Sequence, residues 1–188
     1  LDSTLRDLLE GVGTTRVPRF DKATDDRVPH DRWSSVPCPV DIVVWEGWCL
    51  GIEPQEDALL EPPVNDLEKH KDRDGSWRRY VNDALKSYQY LFERVDLWAM
   101  LAAPGFNCVF KWRCEQEAKL ATRHAGAGPS KIMTPTEVAQ FIEFYERLTR
   151  WALATLPASV HFLYQLDAKR HIKSLKHPVT LDLKASAE

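Results

Sequence analysis

An α/β fold with a largely parallel sheet flanked by helices is predicted by three features of the 188-residue sequence. Short apolar runs at 41–46, 97–102 and 160–166 read as strands, the first two continuous enough to be buried on both faces. Stretches at 77–92, 106–124 and 134–156 carry apolar residues every three or four positions and read as helices. The two kinds of segment alternate along the chain, with no internal repeat or low-complexity tract, which is the signature of strands joined by crossover helices.

Taken in order, Leu1, Leu5, Leu8 and Leu9 fall at helical spacing and predict a short helix over 1–10, with Ser3 as N-cap and Gly11 or Gly13 as its stop. Residues 14–17 suit a short strand. Pro18 then opens a polar segment, 18–27, with neither helical nor strand period, in which aspartates and basic residues interleave beside Phe20. Solvated loop charge is the bland alternative to a binding loop there. The run 41–46 ends in Glu46, set between Trp45 and Trp48. Ligands of open α/β sheets bind beyond the carboxyl ends of the strands, so a carboxylate delivered there is a site candidate; the alternative is a carboxylate that caps a nearby backbone.

Residues 47–63 are punctuated by Gly51, Pro54, Pro62 and Pro63 and read as irregular. Trp77, Tyr80, Val81, Ala84, Leu85, Tyr88, Leu91 and Phe92 form the core stripe of a long helix, with Asp74 or Ser76 as N-cap. The run 97–102 leads into Pro104 as a second buried strand. On the helix 106–124 the apolar stripe gives way to Gln116, Lys119 and Arg123 on one face, which is either a solvated surface or a phosphate clamp. Gly126 and Gly128 make 125–130 the most hinge-like stretch. Thr134, Pro135 and Glu137 spell a capping box that opens a helix running to about Leu156. The run 160–166 is a last strand of mixed polarity, placed nearer an edge, and the basic tail after Asp167 shows no pattern.

With 44% hydrophobic residues the chain can bury one core, so a single domain over 1–188 is expected. A net charge of -3 gives no global electrostatic case for nucleic acid or an anionic membrane. No apolar stretch approaches the roughly 20 residues that span a bilayer, and no basic-then-apolar leader is visible, so a cytoplasmic protein is expected. Cys38, Cys49, Cys108 and Cys114 form no CxxC pair, which argues against a zinc or disulfide framework.

Two blocks now meet: Val17-Pro18-Arg19-Phe20-Asp21-Lys22-Ala23-Thr24-Asp25-Asp26-Arg27, and Val43-Val44-Trp45-Glu46-Gly47-Trp48-Cys49-Leu50-Gly51. Together they resemble the D-glycerate 3-kinase family, a branch of P-loop kinases related to uridine kinase and phosphoribulokinase. Further matching blocks are Pro63-Val64-Asn65-Asp66-Leu67-Glu68, Trp77-Arg78-Arg79-Tyr80-Val81-Asn82, Trp112-Arg113 with Gln116-Glu117, and 133–138 leading to Tyr145-Glu146-Arg147-Leu148-Thr149. The resemblance runs through nearly the whole chain in order.

What it implies is a P-loop kinase-like domain with a helical lid at about 105–133, using ATP and Mg²⁺ to phosphorylate the hydroxyl of a small acid such as glycerate. Phe20, Asp21 and Arg27 correspond to acceptor-binding groups, with Asp25 in the same loop and Arg19 and Lys22 as partners for a carboxylate. Glu46 corresponds to the catalytic carboxylate that ends the Walker B-like strand and holds magnesium, usually through water. Arg113 and Arg123 match the lid arginines that neutralise the phosphates, Arg113 as the catalytic cation, and Gly126 and Gly128 would let the lid close.

One departure is serious: the family's phosphate-binding loop, GxxxxGK[ST], has no counterpart in these 188 residues. The family's Asp that acts as base toward the acceptor hydroxyl is also absent, and alignment would place it just before Leu1. The sequence therefore reads as the C-terminal two-thirds of such a kinase, expected to be inactive alone; either a further N-terminal segment carries the P-loop, or the chain is a truncated relative that fills the gap otherwise. A non-catalytic kinase-fold binding or regulatory module is the competing reading, and an unrelated α/β interaction protein using some of its seven tryptophans as a contact surface is the third.

Overall fold

The computed structural model describes residues 1–21, 26–123 and 132–179 and resolves into two compact units, Leu1–Trp48 and Cys49–Glu188. In the first unit α1, Asp2–Glu10, starts after Leu1 without a side-chain cap, so Ser3 sits inside the first turn rather than capping it. Gly11 ends the helix: its N–H donates to the Asp7 carbonyl at 3.1 Å, and a Cβ there would lie 2.3 Å from that oxygen. β1, Gly13–Val17, pairs antiparallel with β4, Ser34–Cys38, from Gly13 opposite Cys38 to Val17 opposite Ser34. Nested between them, β2, Phe20–Asp21, pairs antiparallel with β3, Asp26–Arg27, and His30–Arg32 form a 3₁₀ turn. The polar segment 18–27 therefore contains the pairing strands of a ribbon tip, where the sequence showed only a patternless loop. Two-residue strands are too short to display a period of two.

The strand expected over 41–46 does not form. Its exposure alternates, with Val43 and Trp45 half-buried and Ile42 and Val44 at 79% and 85% exposed, but no ladder joins it to another strand among the described residues. A strand apolar on both faces needs a neighbour on each edge and cover on each face, and an apolar run does not by itself supply either.

The second unit orders α2 (Asp57–Leu60), α3 (Asp66–His70), α4 (Ser76–Lys86), α5 (Gln89–Phe92), β5 (Ala99–Ala102), α6 (Asn107–Arg123), α7 (Pro135–Thr155), β6 (Phe162–Leu166) and β7 (Ile172–Lys176). The sheet runs β5-β6-β7, with β5 parallel to β6 and β7 antiparallel to it. Parallel pairing is thus confined to β5 and β6 among the described residues, a mixed α/β arrangement rather than a largely parallel sheet. β6 is central, not near an edge, because β7 covers its other side. In β7 the lysines Lys173 and Lys176 interrupt the apolar Ile172 and Leu175, a composition that suits an edge strand and hides it from pattern reading.

The single helix predicted over 77–92 is two. Ser87 donates from both its N–H and its Oγ to the Ala84 carbonyl, at 3.1 and 2.7 Å, and this local bonding stops α4 before α5 begins. At the other end Asp72 accepts from the Trp77 N–H at 2.8 Å and Asp74 from Ser76 at 3.2 Å, while Gly75 holds the positive φ of 71° that admits the chain to the helix. α7 opens as the sequence predicts: Thr134 Oγ1 accepts the Glu137 N–H at 3.3 Å and Glu137 Oε2 accepts the Thr134 N–H at 2.7 Å. One face of α7 supplies Ala152, which packs with Ile52 and Leu85; Leu153 packs beside Ala102, Val160 and Leu163 under the sheet. Full burial of a side chain such as Ile52 contributes about 1.5–3 kcal/mol. No helix among the described residues is long and apolar enough to cross a membrane.

Candidate functional site

In the first unit the β2–β3 pair brings together three of the acceptor-binding candidates, Phe20, Asp21 and Arg27. Phe20 lies directly opposite Arg27, and Asp21 opposite Asp26. Cross-strand partners share a face, so Phe20 and Arg27 stand on one side and the two carboxylates on the other. Phe20 is 58% exposed and Arg27 is exposed, leaving an aromatic ring and a guanidinium open to solvent on the same face. Asp26 was not singled out in the sequence; its Oδ1 accepts the Arg27 N–H at 2.6 Å, and its cross-strand position beside Asp21 is a product of register alone.

The ribbon is held in shape behind the tip. The Arg19 carbonyl accepts the Val28 N–H at 2.9 Å, and Trp33 Nε1 donates to the Val28 carbonyl at 2.6 Å while stacking at a tilt on His30. Arg19 donates Nη1 to Ser34 Oγ at 3.0 Å, a neutral bond that leaves further guanidinium N–H groups to give. Lys22 and Asp25 lie outside the described residues, as do the hinge glycines Gly126 and Gly128.

Glu46 is exposed and does not end a strand of any described sheet. Among the described residues no three His, Cys, Asp or Glu side chains come together as a metal-binding group. A hard cation here would therefore take Glu46 as a lone protein carboxylate, with water and phosphate oxygens filling the rest, and Mg²⁺ accepts that kind of sparse protein ligation. The carboxylate of Glu46, taken by itself, is donor chemistry that suits magnesium.

In the second unit Arg113 is already engaged. Its Nη1 donates to Gln116 Oε1 at 2.9 Å, its Nη2 pairs with Glu117 Oε1 at 2.6 Å, and its guanidinium carbon sits 5.3 Å over the Phe141 ring. Its Nε is buried with no hydrogen-bond partner. Arg123 is the last residue of α6. All four cysteines are free thiols, and burial pushes the Cys49 thiol up from its ordinary value, away from the thiolate form.

The blocks 63–68, 77–82 and 145–149 take a different role from the acceptor residues. α2 ends with carbonyls that have no helical partner, and two buried arginines cap them. Arg147 donates to the carbonyls of Leu59 and Pro62, at 2.9 and 2.7 Å, and Arg78 to those of Leu60 and Glu61, at 2.6 and 3.1 Å. Arg147 is locked bidentate to Glu68, at 2.7 and 2.6 Å, and Arg78 pairs with Asp72 at 3.1 Å. Asn65 caps α3 by accepting the Glu68 N–H at 3.0 Å and reaches α7 through the Glu143 carbonyl at 2.8 Å. Asn82 exchanges two hydrogen bonds with the Gln55 backbone, at 2.7 and 2.9 Å. These polar residues hold the frame of the second unit together.

No protein-family model matches the chain. It is 30% identical over 151 residues to the uncharacterized kinase mug58 of Schizosaccharomyces pombe, which covers 77% of this chain and 52% of that protein. It is 26% identical over 148 residues to the chloroplastic D-glycerate 3-kinase of Arabidopsis thaliana, covering 76% of this chain and 29% of the relative. The chain thus spans about half the length of the first relative and under a third of the second. The D-glycerate 3-kinase from Cryptococcus neoformans var. grubii serotype A has a similar fold, with a TM-score of 0.69 and 21% identity over 87% of this chain and 59% of that one. Relatives and structural neighbours are D-glycerate 3-kinase and kinase-like proteins, consistent with a member of that family.

Proposed function

We propose that this chain is the acceptor-side and lid portion of an ATP-dependent phosphotransferase that acts on the hydroxyl of a small acid, with glycerate as the leading acceptor. The observation that carries this is the relationship to a kinase at 30% identity over 151 residues, joined to a ribbon tip that offers a ring and a guanidinium on one face. An acid acceptor suits that face: Arg27 would take its carboxylate and Phe20 would cover its carbon skeleton, with Asp21, Arg19, Lys22 and Asp25 of the same segment as further acceptor-binding groups. Glu46 would hold Mg²⁺ through water, and Arg113, with Arg123 further along the helix, would neutralise the phosphates.

The phosphates of ATP need a cradle of backbone N–H groups and a lysine, and these 188 residues hold no GxxxxGK[ST] loop. On this reading they do not turn over alone. The test is transfer of the γ-phosphoryl of ATP to D-glycerate and other small hydroxy acids, assayed for the chain by itself and for the chain joined to the phosphate-binding-loop segment of a D-glycerate 3-kinase. Activity in the joined protein only is the expected result; vigorous turnover by the 188 residues, or none in either form, defeats the proposal. A second reading, a non-catalytic module that retains the kinase fold, draws support from the buried frame of Glu68, Arg78 and Arg147, which serves folding without chemistry. Silence of the joined protein with retained binding of a phosphate anion would favour it.

A further inference from the structure

We propose that Glu117 is the positioning residue for Arg113, an inference that rests on the phosphate-neutralising role proposed for that arginine. Glu117 is 4% exposed, too deep to touch a substrate, and its two oxygens are spent on different partners. Oε1 holds the Arg113 guanidinium at 2.6 Å, and Oε2 accepts the Met133 N–H at 3.1 Å, one residue before the cap of α7. Thr134, the next residue, is fixed in turn by Glu137. The arginine's position is therefore referred through a buried carboxylate to the start of α7, and Phe141 on α7 supplies the surface against which the guanidinium lies.

The hold is partial by geometry. Glu117 engages one nitrogen of Arg113 rather than a fork of two, and Nε has no partner. A buried N–H without an acceptor is costly, and because Nε is closed to solvent an arriving anion would meet the exposed part of the side chain, which is 30% exposed overall. Fixing the group while leaving donors unspent is what a phosphate-binding cation requires, since a guanidinium already oriented loses less freedom when the anion arrives. The capping arginines Arg78 and Arg147 contrast with it, because carbonyls and carboxylates engage every one of their guanidinium nitrogens.

A double-mutant cycle tests this on the 188-residue chain with inorganic tripolyphosphate as probe, by calorimetry, beside nitrogen-15 NMR of the arginine Nε–H. Arg113→Ala and Glu117→Gln are each expected to weaken tripolyphosphate binding by about fivefold or more, and Glu117→Gln to have no further effect in the Arg113→Ala background. The Arg113 Nε–H signal should be distinct in the wild type and averaged in Glu117→Gln, with the thermal transition retained because glutamine still accepts from Met133. Additive losses, tighter anion binding in Glu117→Gln, an unchanged Arg113 signal, or no wild-type binding would each overturn the assignment. Failure of glycerate phosphorylation with an intact cycle would instead count against the acceptor and not against Glu117.

Discussion

Arg78 and Arg147 divide four consecutive backbone carbonyls between them: Arg147 takes the outer pair, Leu59 and Pro62, and Arg78 the inner pair, Leu60 and Glu61. Each guanidinium is buried with its own carboxylate, Glu68 or Asp72. Removing one member of such a pair leaves a charge in the interior with nothing to answer it. Arg147→Met is therefore expected to destabilise the protein by about 3–5 kcal/mol, read as a lowered urea midpoint. Arg147→Met with Glu68→Gln should recover part of that loss, because the stranded charge is gone. A single variant as stable as the wild type would show that the two arginines do not carry the α2 terminus.

Gly51 holds φ at +77°, and a Cβ built there falls 3.2 Å from the Trp98 ring. Two independent penalties meet at one atom. Gly51→Ala should cost about 1–2 kcal/mol for the left-handed backbone, with ring displacement added. Trp98 packs beside Ala102, Val160 and Leu163, so a change in tryptophan emission should accompany the lower melting temperature. An unaltered melt would mean that the turn relaxes freely.

The capping box of α7 has a pH signature. Hydrogen bonds from the backbone and side chain of Thr134 lower the Glu137 pKa from its ordinary value of 4.5. A carboxylate whose folded pKa is depressed adds stability that is complete above its unfolded value and fades as pH falls through the folded one. Stability should thus decline on acidification below about pH 4.5, and Glu137→Gln should flatten that limb. Asp74 and Asp167 are lowered by backbone hydrogen bonds and act in the same direction, so the limb should be reduced in Glu137→Gln and not abolished. Thr134→Ala should cost about 1 kcal/mol near neutral pH by denaturant titration.

The difference between this box and the arginine frame marks what sequence can reveal. Thr134, Pro135 and Glu137 interact within a single turn, so their spacing carries the whole signal. Arg147 and Glu68 meet across 79 positions, and neither residue type nor local period announces the meeting. The strands β2 and β3 are invisible for the opposite reason, being two residues each, and β7 because its lysines break alternation. At 41–46 the local pattern was strong and still misled. An apolar run specifies burial, but a strand also needs a hydrogen-bonded neighbour, and that is not a property of the run itself. The acceptor candidates came from the family resemblance and not from any local period, and their division between two faces waited on the pairing of Phe20 with Arg27.

That pairing yields the sharpest functional expectation. If the acceptor's carboxylate is taken by Arg27, losing its charge-assisted hydrogen bonds should remove roughly 1.5–3 kcal/mol of binding, or about 10- to 150-fold in KM for the acid. The ring opposite, Phe20, offers contact area rather than charge, so Phe20→Ala should act in the same direction but more weakly. Both groups bind the acceptor equally in its ground and transition states on this view, and kcat should change little. The measurement is steady-state phosphorylation of D-glycerate by the chain joined to a phosphate-binding-loop segment, with a neutral polyol acceptor as control. Arg27→Ala should lose its effect on the polyol, since no carboxylate remains to be recognised. An equal loss on both acceptors, or a fall in kcat at constant KM, would place Arg27 in the chemistry or the fold and not in acid recognition.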